Sequence, residues 1–264
     1  MLPKNNYEIK CKSKREDVFK MMNEKDFHST MADYQKTFQP INFKNNRELL
    51  DFCGNWKHSI KELYDTEITP MFREIFGMKT LDNKTWFTDY ENHVRKAVHF
   101  RALKGISYEI DFGYNFDFIQ VSKSEKLQYN RTEKSVMLHI RDVPYPYAAD
   151  THKELWDCGY QIEGCFKDKN QGIRHIRTVL NNVIPIIYNY FLRIKTYDEM
   201  INEIDRRIAL DNPIYYMMWP DQKYIKIWLT AKNGEKDKAF QLLKEYPYLS
   251  EESKNIIMIK LKSL

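Results

Sequence analysis

The chain has 264 residues, of which 42% are apolar and 30% charged, and 42 Lys and Arg stand against 37 Asp and Glu for a formal net charge of +5. A chain of this length buries roughly three quarters of its unfolded surface, so neither disulfides nor a metal is needed for stability. Its basic and acidic residues are interleaved, as in "NEIDRRI" and "NGEKDK", which disfavours a nucleic-acid domain, where Lys and Arg gather on one face.

Residues 1–45 are polar and weakly periodic, with a short helix expected around "EDVFKMMNEKDF". Order begins with a helix over 46–77, in which Leu49, Phe52, Trp56, Ile60, Leu63 and Tyr64 recur at three- and four-residue steps. Asn45 with Glu48 forms its cap, Thr69-Pro70 restarts it and Gly77 stops it. The period then changes to two over 85–143. Val94, Val98, Phe100 and Ala102 share one parity, and so do Ile106, Tyr108, Ile110, Phe112, Tyr114, Phe116 and Phe118. Lys104-Gly105 marks the turn between these strands, and "WFTDYE" (86–91) and "SVMLHIRDV" (135–143) supply two more. Four antiparallel strands with one face buried and the other charged are the expectation.

Helices follow over 170–264. Ile173, Ile176, Leu180, Val183, Ile187, Phe191 and Ile194 form a long stripe, interrupted by Pro185, which should kink or break the helix. "TYDE" (196–199) is a capping box. "WLTAKNGEKDKAF" (228–240) reads as a helical hairpin of tetratricopeptide-like logic that sets Trp228 and Leu242 onto the Ile-rich helix. It occurs once, and a solenoid needs about three copies to bury a continuous core. Helix, sheet and then helices make an α+β fold: a single domain over 46–264, preceded by an ill-defined extension over 1–45.

The chemistry-bearing residues are sparse. Cys11, Cys53, Cys158 and Cys165 form no C-x-x-C pair and have no His at ligand spacing, so no metal and no cofactor is expected. Reduced thiols, a start without an apolar secretory stretch and a longest apolar run of only "VIPII" point to a cytoplasmic protein with no membrane partner. There is no glycine-rich phosphate loop, no G-x-S-x-G and no H-E-x-x-H. On the charged sheet face, His99 falls opposite Glu109 or Asp111. A carboxylate beside a histidine suits general acid–base catalysis, but opposite charges across strands are equally a register device. Arg101 on that face, and Tyr145, Tyr147, Trp156 and Tyr160 in the loop after the sheet, make a contact surface, since Tyr, Trp and Arg are enriched at interface hot spots.

Four stretches carry a resemblance: "FREIFGMKTLDNKTWFTDY", "AVHFRALKGISYEIDFGYNF", "IIYNYFLRIKTYDEMINEI" and "YIKIWLTAKNGEKDKAFQLLKE". From about residue 60 onward this layout resembles a group of bacterial domains of unknown function with an immunity-protein-like order of helix, antiparallel sheet and terminal helices. The group defines no catalytic residue. The resemblance implies a protein that binds and neutralises another protein, a toxin. The expected function is therefore protein binding, and a hydrolase-type enzyme using the His99 pair is the alternative.

Overall fold

A computed structural model of the chain describes residues 62–82, 84–102, 107–123, 126–129, 136–144, 162–163, 168–209 and 220–264. The expected helix over 16–27, the Asn45–Glu48 cap, the Lys104-Gly105 turn and the aromatic loop residues Tyr145, Tyr147, Trp156 and Tyr160 lie outside these residues. The fold is α+β. Its main sheet runs in the order β1-β2-β3-β4-β7, made of Lys79–Thr80, Thr85–Phe87, Val94–Ala102, Ser107–Phe116 and Ile140–Asp142. β8 (Ile162–Glu163) also pairs with β4, while β5 (Gln120–Lys123) and β6 (Lys126–Tyr129) form a separate antiparallel ribbon.

The described chain divides into two compact units, and β3, β4 and one long helix each contribute residues to both. In unit 1, a π-helical turn Tyr64–Ile68 runs into α1 (Thr69–Phe76), which ends as the sequence predicts on Gly77 in the left-handed region at φ 68°. A residue with a Cβ is strained there, and glycine is not. α1 closes an aromatic core. Tyr64, Phe72, Trp86 and Phe100 meet at centroid separations from 4.7 to 6.3 Å, and the Trp86 indole N–H donates to Thr69 Oγ1 at 3.0 Å. The first part of α2 (Lys169–Arg193) belongs to this unit, with Ile176, Val179, Leu180, Val183, Ile184 and Ile187 buried. Arg177 reaches Glu67 at 2.7 Å and Lys169 reaches Glu62 at 2.5 Å. α2 passes through Pro185 as one helix of 25 residues, so of the expected kink or break the break does not occur. An internal proline costs about 3 kcal/mol, and burial of the apolar side chains on both sides of Pro185 outweighs it.

Unit 2 takes Asp89–Ala97, Phe112–Asp142 and Asn189–Leu264. β4 and β7 pair antiparallel with Phe112 opposite Asp142, Gly113 opposite Arg141 and Tyr114 opposite Ile140. The rings of Phe112 and Tyr114 pack on Tyr190 and Phe191 at the end of α2, at 5.1 to 6.2 Å. α3 (Tyr197–Ala209) opens with the predicted capping box: Thr196 Oγ1 accepts from the Glu199 N–H at 3.2 Å, and Glu199 Oε2 accepts from the Thr196 N–H at 2.9 Å. The Lys195 backbone N–H, at 2.7 Å from Glu199 Oε2, and then that of Thr196 hold the Glu199 carboxyl below the usual range. α4 (Gln222–Lys232), capped by Asp221, and α5 (Lys236–Glu245) form the hairpin across Asn233-Gly234. Trp228, Ala239 and Leu243 are buried in it. The hairpin's main helical neighbours are α3 and α6 (Glu251–Lys262), where the sequence pattern placed it on the Ile-rich stripe.

Candidate functional site

Alternation along β3 and β4 does not divide a buried face from an open one. Every residue from Ile110 to Phe116 is buried, and on β3 the buried parity switches, from Arg95 and Ala97 to Val98 and Phe100. The expectation of a solvent-facing charged surface is thereby corrected. Asp111 and Asn115 are 3% and 0% exposed and Arg95 is 3% exposed. Alternating polar side chains mark an open face only where they lack partners of their own, because buried polar groups find hydrogen bonds inside the protein. Asn115 Oδ1 accepts from the Arg95 Nε at 2.9 Å and from the Tyr90 hydroxyl, and its Nδ2 donates to the Met137 carbonyl at 2.6 Å. The Arg95 guanidinium lies 4.6 Å from the centre of the Tyr90 ring.

Beside this group His139 is fully buried. Its Nδ1 accepts from the Phe116 backbone N–H at 2.9 Å, and its ring stacks on Phe116 at 5.6 Å. An accepting Nδ1 leaves the proton on Nε2. Burial, and then the positive charge of Arg95, hold the imidazole down to about 3. The folded pKa lies below the ordinary 6.5, so neutral His139 stabilises the fold above 6.5, and the contribution is lost as pH falls toward 3 because only the unfolded chain takes up the proton. Urea-unfolding free energy should therefore fall across that window by about 1.4 kcal/mol per pH unit from this residue. His139→Asn should flatten the slope; an unchanged slope would remove His139 as its source.

The second polar group joins α3 to β7 and the end of α2 within the same unit. Arg207 is completely buried and Glu203 is 4% exposed. Arg207 Nε donates to Glu203 Oε1 at 2.9 Å; its Nη2 reaches Asp142 Oδ2 at 2.9 Å and the Tyr190 hydroxyl at 3.0 Å, and its Nη1 donates to the Arg141 carbonyl. Arg206 also clamps Glu203, at 2.6 and 3.0 Å, and Arg193 stands 3.5 Å away. Burial pushes the Glu203 carboxyl up, but the Arg206 hydrogen bonds and the Arg207 charge outweigh it, leaving the carboxyl below its usual range. The guanidinium of Arg207 is thus engaged on acceptors of its own unit, as suits an internal brace.

Among the described residues of unit 2, a groove of about 340 Å³ runs along α3, α4 and α5. Ile208, Ile227, Leu242 and Pro247 supply its apolar lining, and Asp205, Lys223, Lys226, Glu245 and Tyr246 its polar one. Lys226 is committed to Asp205 at 2.5 Å. Among the described residues, the exposed Lys223 makes no ion pair and Glu245 accepts only from the Gln241 amide, at 3.1 Å. Next to the groove, Tyr248 is 74% exposed and packs edge-on against Tyr246 at 5.5 Å. No protein family, curated protein or solved structure matches the chain.

The sequence-predicted site residues are placed as follows. His99 is half-buried on β3 and Asp111 is buried on β4, while Arg101 and Glu109 are placed by their backbone only, on β3 and β4. Among the described residues, no three His, Cys, Asp or Glu could hold a metal ion and no helix is long and apolar enough to cross a membrane. Sequence reasoning passed over the Arg207 brace, although Glu203 and Arg207 are spaced i, i+4 in "NEIDRRI". It passed over the groove because the lining comes from three helices with no shared motif.

Proposed function

We propose that this chain is a protein-binding protein that acts by occupying a partner's surface, and that the partner is a toxin, as the immunity-like layout of the sequence implies. The reading is carried by the groove along α3, α4 and α5, whose volume of about 340 Å³ lies in the range of ligand-binding clefts and suits a short segment of a partner with an apolar centre. Its rim offers an ammonium at Lys223 and a carboxylate at Glu245. The matching segment carries an apolar anchor flanked by an acid and a base, so that both rim charges are met.

A photo-crosslinking residue at Leu242, in cells that make the native partner, tests this. One adduct should form, it should fall about tenfold when Lys223→Glu reverses the rim charge, and it should be absent when the same label replaces Leu81, which is 57% exposed in unit 1. Equal labelling from both positions, or an adduct indifferent to Lys223→Glu, would sink the proposal. The toxin assignment has a separate test. The neighbouring gene, expressed alone, should arrest growth, and co-expression of this chain should restore it; no rescue would leave binding standing and remove the toxin.

A further inference from the structure

α6 buries one side and leaves a second apolar stripe in solvent. Ile257 and Leu261 are fully buried, whereas Ile256 and Ile259 are 41% and 66% exposed. The exposed pair is spaced i, i+3, so both side chains stand on one face of the helix. Glu252 lies one turn before Ile256 on that face, and Lys260 and Lys262 flank its other end; all three are exposed. The helix therefore offers an apolar centre with acid at one end and base at the other.

We propose that this face is a docking surface for a second copy of the chain, which lies antiparallel across it about a two-fold axis. The charge order selects that occupant. An antiparallel copy sets Ile256 on Ile259 of its mate and brings Glu252 toward Lys260 and Lys262 at both ends, whereas a parallel copy sets Glu252 against Glu252. A two-fold contact of this kind is self-complementary, each copy giving the same patch. Two isoleucines per copy cover far less than the roughly 1,200–2,000 Å² of a standard interface, so the dimer is weak and forms with rising concentration. The surface is separate from the groove, and neither proposal depends on the other.

Sedimentation of the full chain, from micromolar to near-millimolar concentration, tests the pairing. The wild type should move from monomer toward dimer mass. Ile259→Glu should keep it monomeric with an unchanged urea midpoint, because Ile259 is exposed. Glu252→Lys should weaken the dimer about tenfold, and adding Lys260→Glu with Lys262→Glu should restore it. A wild type that stays monomeric throughout would overturn the proposal, as would a dimer indifferent to Ile259→Glu. Failure of the reversed-charge variant to recover would overturn the antiparallel geometry. Loss of vesicle binding rather than of dimer on Ile259→Glu would assign the stripe to a membrane surface instead.

Discussion

Arg207→Ala should lower the unfolding free energy by about 3–5 kcal/mol, the range found when one partner of a buried ion pair is removed. The side chain is completely buried and donates to Glu203, Asp142, Tyr190 and the Arg141 carbonyl at once. Truncation leaves the Glu203 carboxylate, 4% exposed, without its i+4 partner in a place water reaches poorly. Arg207→Lys keeps the charge but offers one nitrogen in place of a planar fork, so it should recover only part of the loss. A paired replacement, Glu203→Leu with Arg207→Met, should cost less than Arg207→Ala alone, because the most deeply buried carboxylate is removed with its partner and only Asp142, nearer the surface, loses the guanidinium. Urea titrations read all three, with the midpoint and slope fitted separately. If Arg207→Ala changes stability by less than about 1 kcal/mol, the brace is not the stabilising element proposed here. The brace also has an acid limit. The Glu203 carboxyl is held below its ordinary 4.5, so its contribution is full above that value and is lost as pH falls through the lower, folded one.

Gly113→Ala should be the most damaging single methyl addition in unit 2. A Cβ built there falls 1.8 Å from the Ile140 carbonyl oxygen and 2.8 Å from its carbon, with Arg141 Cα at 3.2 Å. These are backbone atoms of the strand paired with β4, where Gly113 stands opposite Arg141. A flexible side chain could turn aside; a hydrogen-bonded strand has to move. Overpacking of this kind costs about 1–3 kcal/mol and more when the backbone must shift, so a loss at or above about 3 kcal/mol is expected. β7 also carries Asp142, a ligand of Arg207. The Gly113→Ala and Arg207→Ala losses should therefore combine to less than their sum, since the first disturbs what the second removes. Strict additivity in the double variant would show that the strand clash relaxes without disturbing the brace.

Local signals in the sequence were reliable where a few neighbouring residues settle the outcome. The capping box of Thr196 and Glu199, the Gly77 stop and the Asn233-Gly234 turn all formed as their spacing predicted. So did the change from helical to strand period and back, and with it the α+β class. Each rests on backbone groups within about four residues, and the side chains that satisfy them lie in the same stretch. The burial of Trp228 and Ala239 in the hairpin was legible for the same reason.

What lay outside the reach of pattern was whether a polar side chain meets solvent or a distant partner. Alternation made the face of His99 and Asp111 look open and suited to catalysis, yet Asp111 is buried, and so are Arg95 and Asn115 on the same two strands. Asn115 is held by Arg95 across 20 residues and by the Met137 carbonyl across 22, and Arg207 meets Asp142 across 65. A charged or amide side chain has the same local signature whether it ends in water or on such a partner, and the desolvation that separates the two cases depends on everything packed around it. The sequence by itself therefore determined the elements, their caps and their order. The tertiary structure alone decided which polar residues became internal braces and which apolar ones, in the groove and on α6, were left facing outward.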